Sequence, residues 1–461
     1  MILPPASKIY STLGNSNSLV PLAIKDVANS IGLTTASYIT GDEVEGRDRF
    51  IDEFGTQAIW LFGIPGFKKI LDLTLFKSLK YDPEIDVRVL KDPKILEKAK
   101  QYAPTETIQS ALQKAGKNAK TFKGLSFGKF VASTLLTILS YWGLTKFRHS
   151  HTEQHIKDLY LKKHGKKQEK AKEQDTAFPL KSVPQAFGAI HSLSSQKSKQ
   201  TSFTGGFEDF MFSPAKNLMI VDGAISSERI FESRNPQDQI GYIVKEGGFW
   251  MFMYLLGPKI QNHFEKSALK NHNKPIDLDA RVIESAELKQ AMQNKTLLES
   301  LKKFPTIGKD FEIYDFICNP QNKDNIVVKM SKMSDIINVI DSKNLDSAPD
   351  TRKYIDIEEV KGVRTKLENL YTKFNEYQTS FKTKNPEVKL TENEILEKFL
   401  KEVKSLKRKS IFKNIGSCIA ALGIAVPAIM VGLRYLDKDN KNFKVKEEIE
   451  KKLAKELNTN A

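Results

Sequence analysis

The pentapeptide Gly124-Leu125-Ser126-Phe127-Gly128 has the spacing of a nucleophile elbow, in which a serine on a tight strand-to-helix turn attacks a carbonyl. That chemistry needs a buried strand before the turn and a histidine and an acid downstream. Lys120-Thr121-Phe122-Lys123 precedes it and an apolar run follows, so small residues at a helix entrance account for it better. Four of the seven histidines (His149, His151, His155 and His164) crowd together, and His151 and His155 stand four apart, the spacing of a helical metal pair. No carboxylate or cysteine pattern completes a site there, so the expectation is a solvated segment, with no metal and no other cofactor. There is no phosphate loop, dinucleotide fingerprint, HExxH or CxxC.

Two further sets of polar residues gain meaning from an internal repeat. A shift of 193 residues lays 53–89 on 246–282 without a gap and gives seven identities. They pair Glu53 with Glu246, Gly55 with Gly248, Pro65 with Pro258, Lys77 with Lys270, Asp86 with Asp279, Arg88 with Arg281, and Val89 with Val282. Chance would give about two or three. Both copies run from an acid into an apolar helix ending in proline, then an amphipathic segment and a short alternating strand (Ile85, Val87, Val89 in the first). A capping residue, Asp92 or Ser285, then opens a helix. In this frame Glu53 and Glu246 stand at the favourable ends of their helices, where capping is their simplest role. In lipid they would instead line an ion path. Asp86, Arg88, Asp279 and Arg281 read as salt-bridge residues joining the two copies.

The elements that must carry these residues are apolar runs. Asn414–Leu433 is uncharged for 20 residues between Lys413 and Arg434. As a helix it is about 30 Å long, a bilayer's hydrocarbon thickness. Phe130–Thr145 is a second span of 16 residues, while 54–67 and 247–258 are shorter apolar helices that leave the number of crossings at two or four. The rows Gly416-x-x-x-Ala420 and Ser417-x-x-x-Ala421 would let the last span pack closely on Phe130–Thr145.

The order along the chain is then a lead-in (1–45), repeat copy 1 (46–147), a polar linker (148–215) and the first part of copy 2 (216–306). A mainly helical insert (307–390) with a β-prone stretch at Ile326–Val328 follows. The chain closes with a basic amphipathic helix and span (391–435) and a charged tail (436–461). The basic helix starts at a capping box, Thr391 to Glu394. Its apolar stripe is Ile395, Leu396, Phe399, Val403 and Leu406, edged by Lys398, Lys401, Lys404, Lys407, Arg408 and Lys409, as expected of a helix lying on an anionic leaflet.

Composition narrows the function class. The net charge is +16 over 461 residues, and 61 of the 72 basic residues are lysine rather than the arginine that forks onto bases and phosphates. Specific nucleic-acid binding is therefore not expected, and two cysteines exclude a disulfide framework. The fold expected is predominantly α and membrane-associated, an internally duplicated helical unit with short β segments. The function expected is that of a non-enzymatic, membrane-anchored structural or interaction protein of the cell inner membrane that meets anionic lipid. The competing class is a small transporter or channel built on the pseudo-symmetric repeat, and a membrane-bound serine hydrolase ranks last.

Overall fold

The computed structural model describes residues 12–14, 19–41, 43–163, 208–233, 236–342, 344–436, 450–451 and 453–455. The chain is predominantly helical. Helices α1 (Val20–Thr40) and α2 (Glu43–Ala58) lead through a π-helical turn, Ile59–Gly63, into α3 (Ile64–Leu71). A 3-10 turn, Val87–Leu90, precedes α4 (Pro93–Gln101), α5 (Glu106–Lys117) and the 45-residue α6 (Ala119–Lys163). Then come α7 (Pro214–Phe231), α8 (Pro236–Trp250), a second π-helical turn, Met251–Leu256, and α9 (Gly257–His272). Short helices α10 (Ala280–Glu284), α11 (Ala286–Gln293), α12 (Thr296–Lys303), α13 (Asp310–Cys318) and α14 (Ile326–Met333) follow. The chain ends with α15 (Ile357–Lys384), α16 (Glu392–Ala420), a π-helical turn, Ala421–Ala425, and α17 (Val426–Leu436).

Several expectations are corrected. Among the described residues there is no strand, only an isolated bridge between Val339 and Pro349. The alternating Ile85–Val89 segment closes as a 3-10 turn because Asp86 caps it, its carboxylate accepting from the Arg88 amide at 2.8 Å. Ile326–Val328 opens α14, started by the Asn325 side chain accepting from Val327 N. The lead-in holds a full helix, α1, with Pro21 in its first turn, where a missing N–H is harmless. The polar linker shrinks from both sides, since α6 runs to Lys163 and α7 starts at Pro214. Ahead of α7 a short helix, Glu208–Phe212, is also formed. Residues 164–207, His164 among them, lie outside the described residues, as does most of the charged tail.

Element starts follow the 193-residue shift. Moved by it, α1, α2, the first π turn, α3, the 3-10 turn and α4 begin within one residue of α7, α8, the second π turn, α9, α10 and α11. The two helix-opening caps also form, Asp92 to Lys94 N and Ser285 to Leu288 N.

The chain divides into two units. The first comprises Met1–Pro21, Asp72–Gly128 and Leu256–Gly416, and its core is hydrocarbon. In α15 the residues Ile357, Val360, Val363, Leu367, Leu370 and Phe374 recur every three or four positions, and all are buried. The stripe Ile395, Leu396, Phe399 and Val403 of α16 is buried as well, Phe399 stacking on Phe374 with ring centroids 5.6 Å apart. That stripe therefore faces the insert rather than a leaflet, which leaves Lys398, Lys401 and Lys409 outward, while Lys407 is buried and donates to Glu265 Oε1 at 2.9 Å. Burial also pushes the Cys318 thiol up to about 12, which keeps it an inert core residue.

The second unit comprises Leu22–Leu71, Lys129–Leu255 and Ser417–Ala461. Its patterning is reversed. On α1 the buried face is Lys25, Asp26, Asn29, Ser30, Leu33, Thr34, Ala36 and Ser37, while Ile24, Val27, Ile31 and Ile39 face outward. Phe62 is 74% exposed and Ile424 66%. Two helices, Ala119–Lys162 and Glu392–Leu433, are long and apolar enough to cross a membrane.

Packing in this unit repeats itself. Tyr141 of α6 clusters with Val221 and Ile225 of α7. At Gly423, in the last π turn, an added Cβ would lie 3.1 Å from the Ala28 carbonyl oxygen, and a Cβ on Gly32 would collide with the Gly423 carbonyl. Ala28 and Gly32 become Val221 and Ile225 under the 193 shift, and one shift of 282 carries Tyr141 to Gly423 and Leu144 to Val426. The helix partners correspond too: a Cβ on Gly55 would meet Leu144 at 2.7 Å, and one on Gly248 would meet Val426 at 2.7 Å. Thus α6 meets α2 and α7, and the last apolar run meets α8 and α1. These contacts, rather than the expected one on Phe130–Thr145, are those made by the last apolar run through Gly423 and Val426.

Candidate functional site: a buried ion cluster

Within the second unit, α2 turns Arg49, Asp52, Glu53 and Thr56 inward, a spacing that places them on one helical face. The equivalent positions on α8 are Tyr242, Lys245, Glu246 and Phe249, all buried. From α7 comes Arg229, and from α6 come Tyr141 and Arg148. Glu53 is 3% exposed, and Asp52 and Lys245 are each 1% exposed at the side chain.

The two repeat-equivalent glutamates meet on one ammonium. Lys245 Nζ lies 2.6 Å from Glu53 Oε1 and 3.3 Å from Glu246 Oε1. The first is an ion contact rather than an aligned hydrogen bond. Two acids brought this close repel, and Lys245 answers that repulsion. It stands 193 residues after Asp52, with its Nζ 3.9 Å from Asp52 Oδ2.

Arginines complete the cluster. Arg229 donates through Nη1 to Glu246 Oε1 at 2.7 Å, through Nε to the Tyr141 hydroxyl at 2.6 Å, and through Nη2 to Thr56 Oγ1 at 2.8 Å and Asp52 Oδ1 at 3.4 Å. Tyr141 donates on to Asp52 Oδ1 at 3.3 Å. Arg148 Nη1 is 3.1 Å from Asp52 Oδ2, and Arg49 Nη1 is 3.6 Å from both Asp52 and Glu53. Arg148 also donates to the Tyr242 hydroxyl at 3.2 Å. Such a network is specific only because nearly every charge has an opposite partner; a half-satisfied one would be worse than hydrocarbon.

Beside the cluster is a cavity of about 20 Å³, lined by Asp26, Asn29, Glu53, Thr56, Asp222, Ser226, Arg229, Lys245 and Glu246 among others. It has room for about one water or one small ion.

The other sequence candidates separate from this site. Asp86–Arg88 and Asp279–Arg281 close on themselves instead of joining the copies: each aspartate accepts the backbone N–H two residues on and grips that residue's guanidinium. Asp350 and Arg352 in the insert form a third such clamp. Gly124–Gly128 lies inside α6, so no strand-to-helix turn presents Ser126, which is buried. His151 Nε2 is 3.5 Å from Arg47 Nη2, and among the described residues no three His, Cys, Asp or Glu side chains gather as metal ligands.

Sequence reasoning named Glu53 and Glu246 but passed over Asp26, Asp52, Arg148, Asp222, Arg229 and Lys245. The available signal was charge at helical spacing inside otherwise apolar helices, as with Asp26 in α1. Comparison with protein-family models, curated proteins and solved structures finds no match to this chain.

Proposed function

We propose that the chain is an integral membrane protein, internally duplicated, whose second unit conducts or transports a small cation through its repeat interface. The observation that carries this reading is the convergence of Glu53 and Glu246 on Lys245, inside a unit whose outer face is apolar. Buried charge is expensive in an apolar surround and is kept where an ion or proton must pass. A passive anchor has no use for four buried cations (Arg49, Arg148, Arg229 and Lys245) facing three buried carboxylates (Asp52, Glu53 and Glu246). Equivalent π-helical turns flank the site in both copies, and interrupted helices at the interface of two repeats are how transporters expose polar groups at membrane depth. Duplication is supported by the matching element starts and by the paired contacts at Gly55 and Gly248. Helical rather than barrel-forming spans favour the cell inner membrane as the location.

The test is flux of H⁺, Na⁺ and K⁺ into proteoliposomes of the full chain. Glu53→Gln and Glu246→Gln should each cut the flux at least tenfold while the protein still resists carbonate extraction. Unchanged flux in both variants would remove the transport reading, and release by carbonate would remove the membrane one.

A second reading, a membrane-anchored interaction protein, is favoured by one feature of the first unit. A groove of about 840 Å³ runs along the outward face of α16, lined by Lys398, Lys401, Lys404, Lys409 and Phe412 among others. Its charge suits anionic lipid headgroups.

A further inference from the structure

The ion cluster leaves two acids over. Asp26 and Asp222 are buried, and among the described residues no lysine or arginine nitrogen comes within ion-pair distance of either carboxyl. Each is held by a neutral aromatic donor instead. Trp60 Nε1 donates to Asp26 Oδ2 at 2.9 Å, and the Tyr254 hydroxyl donates to Asp222 Oδ2. The two arrangements use matching elements but not matching positions: Asp26 and Asp222 stand on α1 and α7, and Trp60 and Tyr254 on the π-helical turns Ile59–Gly63 and Met251–Leu256. Both acids line the 20 Å³ cavity, and so does Asn29, whose Oδ1 is buried with no hydrogen-bond partner. Asn29 occupies the repeat position equivalent to Asp222.

We propose that Asp26 and Asp222 are the proton-exchanging pair of this cavity, so that the cation moved by the second unit is H⁺. The proposal rests on the transport reading and names its substrate. A buried carboxyl with only neutral donors is favoured as the uncharged acid. Release breaks one carboxyl O–H bond and passes the proton to a water in the cavity, leaving a carboxylate. The charged groups that face this carboxylate are Glu53 on α2, Arg229 on α7, and Lys245 and Glu246 on α8. Arg229 and Lys245 stabilise it, while Glu53 and Glu246 press it to take a proton again. The second acid provides the second stop, and Asn29 Oδ1 in the cavity wall offers the water an acceptor.

Two measurements test this. Infrared difference spectra of the purified full-length protein should show carboxylic-acid C=O bands that shift in D₂O, and Asp26→Asn and Asp222→Asn should each remove one. In proteoliposomes under an imposed pH gradient, each substitution should lower proton flux at least tenfold without altering extraction behaviour. If one variant does not fold, the other and the D₂O shift of the unaltered protein decide. Bands unchanged by both substitutions overturn the proposal, and so does proton flux that survives them. Flux of Na⁺ or K⁺ that needs Glu53 and Glu246 but ignores Asp26 and Asp222 would leave the transport reading standing and the proton assignment overturned. An absence of all three fluxes in the unaltered protein overturns both.

Discussion

The two units solve opposite packing problems with the same 20 side chains. In the first, α15 and α16 bury Val360, Leu367, Leu370, Phe374, Phe399 and Val403, and leave Lys382, Lys384, Lys398, Lys401 and Lys409 exposed, while their one buried lysine, Lys407, is paired with Glu265. In the second, α1, α2, α7 and α8 bury Asp26, Arg49, Asp52, Glu53, Arg229 and Lys245, and leave Ile31, Ile39, Phe50 and Ile243 outside. The first pattern is what water selects. The second reverses both terms of the hydrophobic balance, burying charge while exposing hydrocarbon, and so supports the proposed membrane setting. The difference teaches that burial identifies each unit's solvent better than hydropathy does. α1 and α7 would pass for ordinary amphipathic helices until the direction of their polar faces is known.

The comparison can be broken most sharply at Arg229. Arg229→Ala leaves Asp52 and Glu246 short of a partner in the buried cluster and should destabilise the second unit by about 3–5 kcal/mol. The equivalent loss in the first unit, Lys289→Ala at the exposed Lys289–Glu397 pair, should cost less than about 1 kcal/mol. Thermal unfolding of detergent-solubilised protein measures both, and equal effects would end the contrast. The next largest difference concerns outward hydrocarbon. Phe62→Lys should oppose membrane insertion by about 2.5–3.5 kcal/mol if it sits near mid-membrane, visible as a smaller carbonate-resistant fraction. Ile307→Lys, at the most exposed apolar residue of the first unit, should change stability by no more than about 0.5 kcal/mol.

How much of this was legible in the sequence differs between the units in the same way. Local devices were readable: the caps at Asp92 and Ser285, the Thr391–Glu394 box and the repeat register from Glu53 to Val282 need only neighbouring residues. The short strand at Ile85–Val89 was misread because alternation over five residues does not distinguish a strand from a capped turn, and the cap decided. The ion cluster was half legible. Glu53 and Glu246 stood out as identities, but their shared partner Lys245 occupies a position where the other copy has Asp52, so a search for identity discards it. Arg229 has Ala36 at its equivalent position and gave no repeat signal at all. Residues that break a symmetry in order to neutralise it are invisible to a method that scores the symmetry.

Close helix approach offers a smaller test of the same contrast. Gly32 faces the Gly423 carbonyl in the second unit, whereas a Cβ on Gly124 in the first unit would meet nothing within 4 Å. Gly32→Val should therefore push α1 from the Ala421–Ala425 turn, with an overpacking loss of about 1–3 kcal/mol in the thermal transition. Gly124→Ala, near the start of α6, should be neutral or slightly stabilising, because alanine is the better helix former. The rows read from sequence as close-packing, Gly416-x-x-x-Ala420 among them, rank below Gly423: Gly416 also meets nothing within 4 Å, so Gly416→Ala, inside α16, should likewise be neutral or slightly stabilising.

The smallest expected effect belongs to the start of α16, where the first unit relies on a device that water can reach. Thr391 N donates to Glu394 Oε2 at 2.7 Å, and Glu394 N donates back to Thr391 Oγ1 at 3.3 Å. The hydrogen bond from the Thr391 backbone, and then that from its hydroxyl, hold the Glu394 carboxyl below its ordinary value. A depressed folded-state pKa stabilises the helix end above the unfolded value, about 4.3, and that support is lost as the pH falls through the folded pKa. Amide exchange at Glu394 and Ile395 should therefore quicken in acid relative to the α16 interior. Glu394→Gln, which keeps an acceptor but cannot titrate in this range, should remove the pH dependence while leaving the helix end in place. A helix start that frays equally in both proteins as the pH falls would mean that its acid response comes from elsewhere in the first unit.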